Sequence, residues 1–360
     1  MILAIDASNI LAGGGRTHLV ELLRHSEPLI YGFDKVLVYG HTAVLNEISD
    51  QPWLIKRTPA LFTYGYVGRL LWGIFGRREN QNGIWFVPGA GRAPGNYVTM
   101  CQNLLPLDKK ERNRYFFSLT WLRLTLLSAL HSRAFAKARG VIFLNEYCYH
   151  ALPKAEQLLI RDKSIIPHGV NESFFRQRIS QNTNEELKLI YVSTVDVYKH
   201  QWRIALAVDE LRKEGIDVSI DFIGAAYPKA LKKLSPFLSK NIRYQGAINY
   251  NQLHEWYSKA DAFIFGSTCE TFGMVLLEAM AGGLPVLCSK YSSMPETLGN
   301  HAFYFDPLDI KDIKRIIAES YEDREALAEL ATRGQVYAHQ FTWQRTAQQT
   351  FAFLADCYKN

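Results

Sequence analysis

Short runs of apolar residues alternate with longer segments of helical periodicity along nearly the whole chain of 360 residues. This alternation is the sequence form of β-α-β units, in which parallel strands are joined by helices that cover the sheet. The pattern predicts an α/β protein with parallel sheets. Because 360 residues are about twice the usual size of one hydrophobic core, we expect two domains.

The predicted elements fall into two sets. In the first set, a loop at Gly13–Gly15 and a helix that starts at Thr17 follow the first strand. The strands of this set are Ile2–Asp6, Lys35–Tyr39, Ile84–Pro88, Tyr97–Cys101, Val141–Leu144 and Ser164–Pro167. The second set has strands at Leu189–Val192, Val218–Ile223, Ala262–Phe265 and Pro285–Cys288, and helices at Trp202–Lys213, Gln252–Lys259, Met274–Ala281 and Ile310–Ser320. Residues 176–186 between the sets are polar and aperiodic, which is typical of a linker. We therefore predict domains at residues 1–176 and 187–340, and a C-terminal helix in residues 341–360 that can pack back on the first domain.

The first half of the chain is basic. The net charge is +6, and residues 1–150 contain 17 Lys and Arg against 10 Asp and Glu, which calls for an anionic partner. The segment Lys56–Arg78 interleaves basic and aromatic residues without an acid, and Lys109–Arg139 has eight Lys and Arg with Glu111 as its one acid. Both segments suit an anionic membrane surface, although solvated faces of an acceptor-side helical excursion would look the same. No nucleic-acid partner is expected, because no recognisable nucleic-acid-binding motif accompanies the charge.

The cysteines and the N-terminal segment indicate the cellular compartment in which the protein is expected. The five cysteines are odd in number and form no C-x-x-C pair, so the sequence indicates neither a disulfide framework nor a zinc site. The N-terminal apolar run has no basic segment before it, and no apolar stretch approaches 18 residues. We expect no signal peptide and no membrane-spanning helix, and a cytoplasmic protein held peripherally on the inner face of a membrane.

The densest chemical signal is the segment from Cys269 to Gly283, CETFGMVLLEAMAGG. A predicted strand ends near Phe265, a loop then delivers Glu270, and a helix begins around Gly273. The unpaired N–H groups and the positive dipole end of a helix start suit a phosphate or sugar hydroxyls. Glu278, about one turn into the helix, can accept hydrogen bonds from vicinal hydroxyls. Taken singly, either glutamate is more often only a surface charge.

Taken together, the two glutamates, separated by seven residues with Phe-Gly between them, resemble the E-x7-E motif of the retaining glycosyltransferases of family 4. Three further segments resemble that family: Ile165–Asn171 its I-P-N-G-V-D/N turn, Tyr191–His200 its Y-V-G-R-x4-K-G segment, and Ser292–Glu296 its G-G-x-P-E element with serines for the two glycines. The resemblance implies the GT-B fold, that is, two Rossmann-like domains with parallel sheets facing a central cleft. It also implies a nucleotide-sugar donor as substrate.

The resemblance carries over to individual donor-binding residues. In the family, the arginine and lysine of the second segment bind the donor diphosphate. Lys199 stands at the place of that lysine, whereas Thr194 replaces the arginine and His200 replaces the glycine. Arg203 or His200 itself can supply the missing charge. Glu270 and Lys199 are implied as catalytic residues, and the implied donor contacts are Gly13, Gly14, Gly15, Arg16, Thr194, Lys199, Glu270, Thr271, Phe272, Gly273, Met274 and Glu278.

The acceptor side departs from the family pattern. Gln102 and Asn103 stand where many relatives carry a His-Asp pair that faces the transferred sugar. Amides can bind hydroxyls, but they cannot act as a general acid or base at neutral pH. Asn145 and Glu146, at the end of a predicted strand, are further acceptor-side candidates, with a surface role as an alternative of equal weight.

The resemblance therefore predicts a retaining glycosyltransferase that moves a sugar from a donor of the GDP-mannose or UDP-sugar type to a glycan or lipid-linked acceptor, as in polysaccharide or lipopolysaccharide assembly. No D-x-D pair or cluster with metal-ligand spacing is present in the sequence, so we expect no metal and no cofactor. Two alternatives stay open. One is a catalytically inactive nucleotide-sugar-binding scaffold, because of Thr194 and the missing His-Asp pair, and the other is a GT-B nucleotide-sugar epimerase.

Overall fold

The computed structural model describes residues 1–64, 68, 72, 83–175 and 186–359. These residues form two compact units, the first from Met1–Gly169 with Phe341–Asn360 and the second from Val170–Gln340. Apart from Glu186, the predicted linker lies outside the described residues, as does most of the basic segment Lys56–Arg78 beyond Tyr64. Each unit is an α/β domain built on one parallel sheet, which confirms the predicted pair of Rossmann-like domains.

The first unit contains a seven-stranded parallel sheet with the order β3-β2-β1-β4-β5-β6-β7. Its strands are β1 (Ile2–Asp6), β2 (Lys35–Tyr39), β3 (Leu54–Arg57), β4 (Ile84–Val87), β5 (Tyr97–Met100), β6 (Gly140–Phe143) and β7 (Lys163–Ile165). In β1, Leu3 pairs with Val36 on one side and with Ile84 on the other. Leu3, Ala4 and Ile5 are fully buried, as an apolar run in the centre of a parallel sheet requires.

Helices cover the first sheet. They are α1 (Gly14–Arg24), α2 (Thr42–Leu45), α3 (Lys109–Arg112), α4 (Leu119–Lys137), α5 (Glu146–His150) and α6 (Lys154–Gln157), with 3-10 turns at Pro28–Tyr31, Ala60–Tyr64 and Asn113–Tyr115. Helix α1 begins at Gly14 and not at Thr17, so Gly14 and Gly15 are not loop residues as the sequence suggested. The reason is Gly13, whose φ of 67° turns the chain into the helix within one residue, a conformation that glycine adopts without strain.

The second unit repeats the same plan with six parallel strands in the order β10-β9-β8-β11-β12-β13. The strands are β8 (Leu187–Val192), β9 (Val218–Ile223), β10 (Ile242–Gly246), β11 (Ala262–Phe265), β12 (Val286–Ser289) and β13 (Phe303–Phe305). The helices are α7 (Gln201–Lys213), α8 (Pro228–Leu234), α9 (Leu253–Lys259), α10 (Met274–Ala281), α11 (Met294–Leu298), α12 (Ile310–Glu322) and α13 (Arg324–Ala338), with 3-10 turns at Glu172–Phe174, Ser235–Phe237 and Tyr250–Gln252.

In both sheets the strand order reverses beside the first strand, between β1 and β4 and between β8 and β11. In open parallel sheets, ligands bind outside the carboxyl ends of the strands at such a switch point, because the loops on either side diverge there. In the second unit these loops are residues 193–200 after β8 and residues 266–273 after β11. The topology therefore places the segments around Lys199 and Glu270 next to each other.

The last helix, α14 (Trp343–Lys359), belongs to the first unit, where it packs against α1. The approach is close. A Cβ on Gly140 would lie 2.5 Å from the Phe353 ring, and a Cβ on Gly169 would lie 2.3 Å from the backbone nitrogen of Trp343. Gly169 is therefore required, because backbone atoms obstruct a side chain there, whereas a side chain at position 140 would force Phe353 and Cys357 to shift. None of the helices formed by the described residues combines the length and the hydropathy needed to cross a bilayer.

Candidate functional site

Lys199 and Glu270 form an ion pair at the carboxyl ends of β8 and β11. The Lys199 side chain is 8% exposed and that of Glu270 is 15% exposed. The Lys199 ammonium also lies 4.9 Å from the centre of the Phe265 ring and 5.0 Å from that of Tyr198, within the range of a cation–π contact. A buried cation that is already charge-paired and held against two rings is fixed in position, as a phosphate-binding group must be.

The backbone of Glu270 is held by two serines from the loop after β12. The Ser292 hydroxyl accepts a hydrogen bond from the Glu270 N–H at 2.9 Å and donates to the Glu270 carbonyl at 2.8 Å. The Ser293 hydroxyl donates to the same carbonyl at 3.0 Å. These are the serines that replace glycines in the G-G-x-P-E element, so the departure from the family pattern adds hydrogen bonds to the position of Glu270.

Two residues that replace family glycines have a left-handed backbone. Ser292 has a φ of 59° and His200 a φ of 54°, a region that side chains other than glycine rarely adopt. His200 is buried at the start of α7, with its Nε2 atom 3.3 Å from the Thr268 hydroxyl. Both positions thus have a backbone conformation that favours glycine, and side-chain contacts accompany it at each.

Helix α10 begins beside this ion pair. Gly273, with a φ of 80°, precedes it and has no side chain that could cap the first turn. Met274 opens the helix and is half-buried, as is Thr271, whereas Phe272 is buried. The first N–H groups of a helix carry partial positive charge and bind anions, so this helix start can complement Lys199 in holding a phosphate.

Glu278 is buried within α10. Its Oε1 atom accepts a hydrogen bond from the Tyr250 hydroxyl at 2.7 Å, whereas its Oε2 atom has no hydrogen-bond partner among the described residues. Burial raises the pKa of Glu278 to about 7, and the bond from Tyr250 acts in the opposite direction. A carboxylate with one unpartnered buried oxygen can accept hydrogen bonds from a ligand. Tyr250 was not predicted, because it lies in a 3-10 turn outside every motif.

The loop after β8 is fixed by its backbone. A Cβ on Gly224, where φ is 140°, would lie 2.2 Å from the Ser193 carbonyl oxygen, so only glycine allows this approach. The carbonyl of the exposed Thr194 accepts a hydrogen bond from the Gln201 side chain at 3.0 Å.

Arg203, a candidate for the missing cation, donates from Nη1 to the Leu308 carbonyl at 2.9 Å. Lys199 therefore remains the cation that the structure places beside Glu270.

In the first unit, the glycine segment and Gln102 are brought together by His18. The Gln102 Nε2 atom lies 2.8 Å from the His18 Nδ1 atom, and a Cβ on Gly15 would lie 3.3 Å from the Gln102 Oε1 atom. The predicted donor-side glycines and the predicted acceptor-side amide thus share one neighbourhood at the carboxyl ends of β1 and β5. His18 itself was missed, although its position one turn into the helix after the glycines was a usable signal.

His18 belongs to a buried aromatic cluster with His168 and Trp343. The ring centres of His18 and His168 are 4.8 Å apart, and that of Trp343 lies 5.9 Å from His18 and 5.6 Å from His168. Burial lowers the pKa of His18 to about 3, and it lowers the pKa of His168 well below the usual range, with a smaller contribution from His18. Both imidazoles are therefore neutral at physiological pH.

The other first-unit candidates have structural partners. Arg16 forms an ion pair with Glu47. The exposed Asn103 accepts a hydrogen bond from the Leu105 N–H at 3.0 Å, and Asn145 caps α5 by accepting one from the Cys148 N–H at 2.9 Å. Glu146 pairs on the surface with Lys163 at 3.0 Å. These contacts favour loop, cap and surface roles for Asn103, Asn145 and Glu146.

Comparison with known proteins finds a family model that matches most of the second unit. The family model described as glycosyl transferases group 1 matches residues 173–336, which include both glutamates and Lys199. O-antigen chain mannosyltransferase B from Escherichia coli is 39% identical over 110 residues, which are 30% of this chain and 29% of that protein. Sulfoquinovosyl transferase SQD2 from Arabidopsis thaliana is 27% identical over 200 residues, 53% of this chain and 38% of that protein. The matched segments thus span about a third of these relatives.

Solved structures match over nearly the whole chain. Sucrose-phosphate synthase from Thermosynechococcus elongatus superposes with a TM-score of 0.75 at 16% identity, covering 97% of both chains. Anabaena HepE in complex with UDP and glucose superposes with a TM-score of 0.70 at 18% identity, again covering 97% of both. At such identities the likeness establishes the fold. The chain therefore has the two-domain GT-B fold, and its residues 173–336 match the model of group 1 glycosyl transferases.

Proposed function

We propose that the protein is a glycosyltransferase that takes its sugar from a nucleotide-diphosphate donor. The observation that carries this proposal is the Lys199–Glu270 ion pair beside the start of α10, inside the segment that matches the family model. A mannosyltransferase among the similar proteins and a UDP complex among the similar structures support the same substrate class.

The charged groups of the second unit and the start of α10 each contribute to donor binding in this proposal. The Lys199 ammonium and the N–H groups at the start of α10 bind the diphosphate. Glu270, released from Lys199 when the diphosphate arrives, accepts hydrogen bonds from hydroxyls of the transferred sugar. The unpartnered Oε2 atom of Glu278 accepts from the vicinal hydroxyls of the nucleotide ribose, which satisfies a buried acceptor that the protein leaves open.

We further propose transfer with retention of configuration and without a metal. The bond between the sugar C1 and the diphosphate oxygen breaks while an acceptor hydroxyl oxygen bonds to C1 on the same face. The hydroxyl proton passes to the departing diphosphate. Negative charge grows on the diphosphate as the bond breaks, and Lys199 with the helix start stabilises it, which is where electrostatic catalysis gains most. Because these protein groups supply the positive charge, the proposed transfer needs no metal ion.

The acceptor is a glycan or a lipid-linked glycan, and the donor is of the GDP-mannose or UDP-sugar type. The 39% identity to an O-antigen chain mannosyltransferase favours GDP-mannose within that pair. Because these matches cover only about a third of the relatives, the first experiment identifies the nucleotide base of the donor.

The test measures thermal stabilisation by GDP-mannose, UDP-glucose and UDP-N-acetylglucosamine, followed by release of nucleoside diphosphate with and without EDTA. One donor should raise the melting temperature with the logarithm of its concentration and be turned over equally in EDTA. Lys199→Gln and Glu270→Gln should lose turnover, and Glu322→Gln, an exposed carboxylate at the end of α12, should keep it. Donor binding without turnover on any glycan acceptor would support the scaffold alternative, and a changed sugar configuration would support the epimerase.

A further inference from the structure

An apolar surface of the first unit is exposed along α4. It consists of Phe116 and Phe117, just before the helix, and of Leu119, Leu122, Leu126 and Leu130 on it. The leucines are spaced by three or four residues, so they share one side of the helix. Phe117 is 92% exposed and Leu119 is 87% exposed, values far above those usual for large apolar side chains. We refer to these six residues as the α4 face.

Cations accompany the α4 face. The exposed side chains of Arg123, Arg133 and Lys137 lie on the same side of α4 as its exposed leucines. Lys109 and Lys110 are exposed on the preceding helix, α3. Between Glu111 and Glu146 the sequence has no acidic residue, and Glu111 is buried and paired with Arg114. The surface thus joins apolar side chains to positive charge without a compensating anion on α4.

The helix that carries this surface is firmly held. Its opposite side buries Leu124, His131, Ala134 and Phe135 in the first unit, and the Ser118 hydroxyl caps it by accepting from the Trp121 N–H at 3.2 Å. The Phe116 ring contacts those of Phe117 and Trp121, with centres 4.3 Å and 5.3 Å away. The exposure of the α4 face is therefore a property of the folded unit and does not come from a frayed helix.

We propose that the α4 face docks on an anionic lipid bilayer. The leucines and phenylalanines enter the boundary between headgroups and acyl chains, and the five lysines and arginines contact lipid phosphates. An amphipathic helix lying in the interface has this combination of apolar side and basic flanks. A second copy of the chain is a poor occupant, because an isologous contact would bring the same cations against one another.

This docking is independent of transferase activity, so it is tested by binding alone. The full-length protein is sedimented with vesicles of phosphatidylcholine containing roughly 30 mol% phosphatidylglycerol, at low and at high salt, and with vesicles of phosphatidylcholine alone. The protein should bind the anionic vesicles, and high salt should weaken binding. Leu122→Gln with Leu126→Gln should lower the partition coefficient by about tenfold or more, and Arg123→Gln with Arg133→Gln by roughly fivefold for each charge.

Matched controls carry the same changes elsewhere. Leu29→Gln with Ile30→Gln alters exposed apolar residues of the 3-10 turn at Pro28–Tyr31, and Lys229→Gln with Lys232→Gln alters exposed cations of α8. Both should bind vesicles like the unaltered protein. Failure of the unaltered protein to bind anionic vesicles, or equal loss in the control variants, would overturn the proposal. Self-association or capture of an acidic protein that only the α4 variants abolish, without vesicle binding, would overturn it in favour of a protein partner.

Discussion

Glu270 neutralises Lys199 within the second unit, since the two side chains form an ion pair from which most solvent is excluded. In the proposed donor complex, the diphosphate competes with the Glu270 carboxylate for Lys199, and a carboxylate released from Lys199 becomes available for the sugar hydroxyls. On this proposal, a ligand with a diphosphate but no sugar leaves Glu270 without a new partner.

This coupling predicts different outcomes for stability and for binding. Lys199→Met or Glu270→Gln alone should each lower the free energy of unfolding by about 1–3 kcal/mol, because each leaves a buried polar group unpaired. The double variant should lose less unfolding free energy than the sum of the two single losses. A double-mutant cycle of denaturant unfolding measures this difference. Donor binding should be lost in all three variants. Additive losses of stability would contradict the ion pair.

The left-handed conformation of Ser292 predicts an unusual order of substitutions. Ser292→Gly and Ser292→Ala both remove the hydroxyl that holds the Glu270 backbone, but only glycine relieves the strain of a φ of 59°. The alanine variant should therefore be the less stable of the two by about 1 kcal/mol in denaturant unfolding. Ser293, with a φ of −78°, is the control, and there alanine should be the more stable replacement.

The buried Glu278 predicts a pH dependence of stability without ligand. Its folded-state pKa of about 7 lies above the usual value of 4.5, so the folded protein keeps a proton that the unfolded chain has lost. Stability should therefore fall as the pH rises from about 4.5 to about 7, by about 3 kcal/mol in all. Glu278→Gln should flatten this fall and stabilise the protein above pH 7. Glu322→Gln, at an exposed position, should leave the profile unchanged.

The buried His18 predicts the opposite slope for the first unit. Its folded-state pKa of about 3 lies below the usual 6.5, so the unfolded chain takes up a proton first as the pH falls. Between about pH 7 and about pH 5 this should cost about 2 kcal/mol, read from hydrogen exchange of the β1 amides. His18→Gln should reduce that loss. His150→Gln, which alters an exposed histidine, should keep the full loss, and an unchanged loss in His18→Gln would show that another group is responsible.

The sequence predicted the interior strands well. β1, β2 and β11 have the predicted bounds, because each is mainly an apolar run, and β9 has them although Ser219 and Asp221 alternate with its apolar residues. The strands β3, β10 and β13 were missed. They lie at the sheet edges, where one side faces solvent and residues such as Lys56 or Arg243 interrupt the apolar pattern.

The site was predictable where it follows a motif and not where it depends on distant contacts. Lys199 and Glu270 came from two motifs that the parallel sheet places side by side. Tyr250 lies 28 residues before Glu278, and His18 lies 84 residues before Gln102, so no local sequence pattern predicts either contact. The helical start at Gly14 was also missed, because a glycine triplet has no intrinsic preference for a helix over a loop.

The return of α14 to the first unit has a consequence for synthesis on the ribosome. The surfaces at Gly140 and Gly169 emerge early, but the helix that covers them is translated only after all of Val170–Gln340. At usual elongation rates this delay is roughly 10 to 30 s, long enough for the second unit to fold first. During this time the apolar surface that later contacts Trp343 and Phe353 is uncovered in the nascent first unit. A chaperone that shields this surface during translation would raise the yield of native protein.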